Sequence, residues 1–194
     1  PALLVPLLDA YDSAYFDLEH VIRAAKEHRV HDAYLWCLDR LGRTHEAMDA
    51  LDALVTHMAQ NTQMALDASI DATTDSEAEC IHEQTRQEFD YLHMAVLMSV
   101  RLCVEHTTVP NATVDDAREL WFRVLRALMQ LEHSLVPLYA SKHGPLQTYV
   151  AKHSRALTQE ALTTLITSVP SDMITLAHLF RRLIDSVTHT QEHR

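Results

Sequence analysis

Fourteen histidines in 194 residues are the first place to look for chemistry. His28 and His31 stand three apart, and His189 and His193 four apart, the spacing that puts two metal ligands on one helical face. Neither pair has a neighbouring cysteine or a clear third ligand, and His28 and His31 straddle an expected helix boundary. His45-Glu46 and His82-Glu83 begin like the zinc-hydrolase motif HExxH and lack its second histidine. Histidine spread this evenly reads as surface composition, so no metal site is expected. Arg101 and His106 offer a different chemistry. An arginine can stabilise phosphate charge, and a histidine five residues on can act as acid or base. Their segment lies in the most acidic half of the chain, which repels nucleic acid. A helix ending in solvent-exposed Glu105 and His106 is the better account. Asp115-Asp116 sits at a helix start, where carboxylates favour the helix dipole.

The chain has only two glycines, Gly42 and Gly144. That nearly forbids a P-loop, a dinucleotide fingerprint or a G-x-S-x-G elbow, and none is present. No catalytic, cofactor-binding or metal-binding residue is therefore assigned, no cofactor is expected, and the partner-binding residues stay open. Hydrophobic residues make up 47% of the chain, enough to bury a substantial core. Ala, Leu, Met, Glu, Gln and Arg dominate, all strong helix formers. The fold class expected is all-α.

Charge is unevenly placed. Residues 1–112 hold 7 Lys and Arg against 19 Asp and Glu, a net −12, whereas residues 113–194 hold 9 against 8, a net +1. A total of −11 argues against sequence-independent nucleic-acid binding and against adsorption to an anionic membrane. Solvated helix faces account for the asymmetry, with the C-terminal half the better side for an acidic partner. Cys37, Cys80 and Cys103 are too far apart for a zinc site and odd in number. They read as buried or semi-buried thiols of a reducing compartment. No signal peptide and no run of apolar residues long enough to span a bilayer is visible. Beginning at Pro1 and stopping amid polar helical sequence, the chain is expected to be a segment of a larger protein.

The elements follow from helical periodicity and punctuation. Residues 1–12 are an apolar lead-in. Asp12 or Ser13 caps a helix to about His28. Asp32 caps the next, which runs to Leu41, and Gly42 closes it in a left-handed conformation between Arg40 and Arg43. Thr44 then caps a long helix to about Ala68, with Ala33 and Ala47 small enough to let the two helices approach. Residues 67–79, DASIDATTDSEAE, read as an acidic loop suited to phosphorylation. A helix from about Ala78 to His106 follows, then a break at Pro110 and Asn111. Thr113 and Asp116 resemble a capping box before the Leu120–Leu135 helix. Pro137 kinks or ends that helix, and Gly144–Pro145 punctuates again. A helix over Leu146–Ser168 follows, and Ser171 caps the last, burying Ile174, Leu176, Leu179, Phe180, Leu183 and Ile184. Trp36 and Trp121 lie in apolar stripes and are expected in the core. About seven helices in antiparallel pairs make an irregular α-solenoid, with residues 1–112 an acidic helical-hairpin segment and 113–194 its continuation.

His31–Leu51, HDAYLWCLDRLGRTHEAMDAL, resembles the clathrin-heavy-chain-type repeat of vacuolar sorting tethers. Leu120–Leu128 (LWFRVLRAL) and Leu165–Ile184 (LITSVPSDMITLAHLFRRLI) are similar, in that order, to the C-terminal solenoids of the endosomal tethering complex CORVET. The resemblance covers most of residues 20–185. It implies a non-enzymatic scaffold and docking segment acting in endosomal vesicle fusion and endosome-to-vacuole or lysosome transport. The protein would be cytoplasmic and peripheral to endosomal membranes. Other tether subunits are the implied partners; an early-endosomal Rab GTPase would bind through parts of the protein outside these residues, and any ligase-like role of a RING would lie outside them too. Arg101 to His106 also fits the short R-φ-x-x-x-H pattern of HEPN-type helical ribonucleases, one alternative. A generic α-solenoid adaptor outside membrane traffic is the other.

Overall fold

Helix-forming composition gives helices almost everywhere it is read. The computed structural model describes residues 4–11, 15–71, 74–108, 113–139, 145–169 and 174–192, and no strand occurs among them. The helices are α1 (Leu4–Ala10), α2 (Leu18–Glu27), α3 (His31–Arg40), α4 (Thr44–Asp71), α5 (Asp75–Thr108), α6 (Val114–Tyr139), α7 (Pro145–Ser168) and α8 (Leu176–Glu192). The apolar lead-in forms the short α1, which makes eight helices among the described residues where seven were expected.

Chain reversals at the start of the molecule are set by two left-handed residues. Gly42 has φ +71° and closes α3. Its N–H donates to Asp39 O at 2.8 Å, and the Arg43 N–H donates to Leu38 O at 2.9 Å. These are the paired bonds of a Schellman motif. α2 ends the same way, with Arg29 at φ 55°, its N–H on Lys26 O at 3.3 Å and the Val30 N–H on Ala25 O at 2.9 Å. A side chain in this region is strained, so Arg29 occupies a site that favours glycine.

Helix starts depart from expectation where side-chain length matters. Asp17 caps α2 by accepting the His20 N–H at 3.2 Å; Asp12 and Ser13 lie outside the described residues. Asp32 does not cap α3, which starts after Val30 without a side-chain bond. Thr44 is already the first residue of α4, and its hydroxyl donates to Asp39 at 2.8 Å instead. Of the acidic loop expected over 67–79, residues 67–71 continue α4 and residues 75–79 begin α5, where Thr74 and Glu77 form a reciprocal capping box, each side chain meeting the other's backbone N–H at 3.3 Å. At α6, Thr113 accepts the Asp116 N–H at 3.2 Å. The shorter Asp116 carboxylate meets the Thr113 hydroxyl, where a glutamate would reach the backbone. α6 continues two residues past Pro137. Pro110, Asn111, Gly144 and Ser171 lie outside the described residues.

The packing is that of a stack. Every substantial contact between described helices joins neighbours in sequence or helices next but one. α1, α3, α5 and α7 form one row; α4, α6 and α8 form the other, with α2 at its head. Neighbour-only contact between two rows of antiparallel helices is the organisation of an α-solenoid. One continuous apolar cluster runs from Val5 and Leu8 to Leu179 and Leu183. Trp36 and Trp121 are buried in it as expected, and the Trp121 indole N–H donates to Thr107 Oγ1 at 3.2 Å. That bond satisfies the one polar atom which burying a tryptophan would otherwise leave unpaired. Ala33, Ala47 and Ala127 are fully enclosed, which permits close helix approach. Phe180 and Ile184, expected in the core, are 44% and 60% exposed, and Met64 is exposed too. α8 has a substantial contact only with α6 among the described residues, so a single stripe of it is covered.

Candidate functional site

The residues singled out for phosphate and proton chemistry are held by carboxylates. Arg101 of α5 donates to Asp9 of α1 from Nη1 at 2.5 Å and Nη2 at 3.0 Å, and from Nε to Glu105 at 2.7 Å. Trp36 Nε1 donates to Asp9 Oδ1 at 2.8 Å. Arg40 lies 3.8 Å from Asp9 and 3.7 Å from Glu105, with its guanidinium 5.3 Å from the Trp36 ring. Two cations and two anions therefore neutralise one another where α1, α3 and α5 meet. The Arg101 hydrogen bonds hold the Asp9 carboxyl below the usual range against a burial effect of opposite sign. Asp9 in turn holds the Arg101 guanidinium more firmly protonated than usual.

His106 belongs to an adjoining set. Its Nε2 lies 2.7 Å from Asp39 Oδ1, the oxygen that also accepts the Thr44 hydroxyl. The same ring nitrogen is 3.4 Å from Thr44 Oγ1. A proton relay needs the base to face carboxylate and nucleophile through different nitrogens, and here one nitrogen faces both. The arrangement ties the α3–α4 turn to the end of α5. Cys37 and Cys103 are buried, and burial pushes the Cys37 thiol up to about 11 and the Cys103 thiol up as well. Such thiols stay protonated and are poor nucleophiles. Cys80 is exposed.

Among the described residues no three His, Cys, Asp or Glu side chains converge as metal ligands would. His28 ends α2 and His31 begins α3, on opposite sides of the turn. His45 is exposed, and its carbonyl accepts from Arg123 at 3.2 Å. His82 Nε2 lies 3.5 Å from Ser69 Oγ. His189 falls in α8, and His193 lies outside the described residues. No described helix is long and apolar enough to cross a membrane.

The feature that sequence reasoning missed lies along α4. On the side facing α6, Arg123 reaches Asp49 at 2.5 Å and Asp52 at 3.0 Å, and Arg126 reaches Asp52 at 3.1 Å. On the side facing α2 there is a groove of about 360 Å³. Its floor is Leu35 and Leu51, its α4 wall Ala50, Ala53 and Leu54, and its rim Lys26, His31 and His57. The Lys26 ammonium sits 4.8 Å above the Tyr34 ring, in cation–π range. Burial, aided by Arg29 and His57, keeps the His31 pKa below its ordinary value. Ala50, Ala53 and Leu54 share one face at helical spacing, and small residues there were the available signal.

No family model, no curated protein and no solved structure matches the chain.

Proposed function

We propose that this chain is a non-enzymatic scaffold and docking segment of a membrane-tethering complex, acting in endosomal vesicle fusion and endosome-to-vacuole or lysosome transport. Subunit eight of CORVET is the member its segments resemble. The observation that carries the reading is the neighbour-only stacking of antiparallel helices in two rows. Such a stack is stiff along its length and offers continuous surfaces to partners. The hairpin α3–α4 supports it further: the His31–Leu51 segment that resembles the tether repeat is the one closed by Gly42 and packed on both rows. On this reading the protein sits on the cytoplasmic face of endosomal membranes through its partners. Other tether subunits are its neighbours, and Rab recognition belongs to parts of the protein outside these residues.

A helical ribonuclease has weaker support, because Arg101 and His106 are each held by carboxylates. The test is affinity purification of the tagged protein from cells that express the tether subunits. Recovery of those subunits in stoichiometric amounts is expected, without RNA cleavage by the purified protein. Failure to recover any of them would remove the tether reading, and recovery of an unrelated set would favour an adaptor outside membrane traffic.

A further inference from the structure

Within the row that α2 heads, α4 packs beside α6 and α6 beside α8, whereas α2 has no substantial contact with α4. The groove is this missing contact. α2 is 10 residues long against 28 for α4, and it is held on α3 and through Arg43, which bridges Glu19 at 3.3 Å and Glu46 at 2.6 Å. Leu35 and Leu51, both buried, floor the gap, and the partly buried Leu54 stands at its wall.

The groove lining differs in charge from the chain around it. The residues 1–112 carry −12, yet no carboxylate lines the groove. α4 turns its nearby acids mainly elsewhere: Glu46 pairs with Arg43 while its charge also reaches Lys26, and Asp49 and Asp52 pair with Arg123. Lys26 at the rim has no carboxylate within ion-pair distance among the described residues. An apolar floor with a cationic edge, on a protein otherwise acidic, selects for an occupant that is apolar on one side and anionic beside it. The lining of α4 from Ala50 to His57 spans about 10 Å, and a helix is about 10–12 Å wide. The groove therefore takes side chains from a helix lying along it, not the helix itself.

We propose that the α2–α3–α4 groove binds a short acidic amphipathic helix of a partner protein. Two apolar side chains, one helical turn apart, seat over Leu35, Leu51 and Leu54, and a flanking carboxylate pairs with Lys26. This is recognition of a helical face by apolar anchors, with charge choosing the partner. The site is independent of which complex the chain serves: loss of the tether reading by purification would leave it intact, and loss of the groove would leave the tether reading intact.

A displayed library of randomised peptides, selected on the whole chain and counter-selected on Ala53→Trp, tests it. Ala53 is exposed, so the tryptophan fills the groove without disturbing the core. Expected is an enriched pattern of two Leu, Ile or Phe at i and i+3 or i+4 next to Asp or Glu. The best peptide, fluorescently labelled, should bind Lys26→Glu at least about tenfold more weakly than the unaltered chain. Its Glu-to-Lys analogue should show the reverse preference. Four results overturn the proposal: enrichment that survives on Ala53→Trp, enriched peptides that are basic, no enrichment at all, or a dimer of the chain alone that Ala53→Trp dissociates. The last would mean a second copy already fills the groove.

Discussion

The two flanks of α4 make opposite use of the same helix. Toward α6 it presents Asp49 and Asp52 to the side chain of Arg123, which is only 12% exposed, and the junction is closed. Toward α2 it presents Ala50, Ala53 and Leu54 to a gap rimmed by Lys26, His31 and His57. Partner length separates them. α6 is 26 residues and runs beside α4, and α2 ends after 10. A helix packed on both sides is structure, and a helix with one side uncovered is a surface for something else.

The closed side should be costly to damage. Trp121→Ala removes a fully buried indole and its bond to Thr107, and should cost about 3–5 kcal/mol in urea unfolding followed by circular dichroism. Arg123→Met should cost about 2 kcal/mol by the same measurement, because Asp49 loses its cation and the partly buried Asp52 is left with Arg126 alone. Lys26→Met on the open side should change stability by less than about 0.5 kcal/mol. Equal costs for Arg123→Met and Lys26→Met would erase the difference between the flanks.

Acid should separate the groove from the α1–α3–α5 cluster. His31 has a lowered folded pKa, so the unfolded chain takes up the proton first and stability falls as pH drops below about 6.5. Asp9 also has a lowered folded pKa, but as an acid its contribution is complete above the unfolded value of about 3.9 and is lost as pH falls through the folded one. His31→Asn should therefore flatten the slope near pH 6, and Asp9→Asn the slope below pH 4, each seen in midpoints of thermal unfolding against pH. Modest effects lie in the turns at the two ends of α3. Gly42→Ala should destabilise by about 1 kcal/mol, since nothing crowds the new methyl and only the left-handed backbone resists it. Arg29→Gly should stabilise by about 0.5–1 kcal/mol.

The all-α fold and the α3–α4 hairpin were legible because glycine scarcity, the leucine stripes and Gly42 all point one way. The capping box at Thr74 and Glu77 was hidden under an acidic, Ser- and Thr-rich composition that also describes loops. The exposure of Phe180 and Ile184 was not legible, since periodicity shows which face is apolar and not whether a neighbour covers it. The groove was invisible for a related reason: it is set by where α2 stops relative to α4. The pairings of Asp9 with Arg101 and of Asp39 with His106 join residues 92 and 67 positions apart, beyond any local pattern.

Amide hydrogen exchange of Leu8→Ala, read helix by helix, tests the stacked architecture most directly. Leu8 is buried at the first position of the stack, where α1 has a substantial contact only with α3. Exchange should quicken by tenfold or more in α1 and measurably in α3, with α6, α7 and α8 unchanged. Equal loss of protection in all eight helices would mean one shared core, and the neighbour-only account would be wrong.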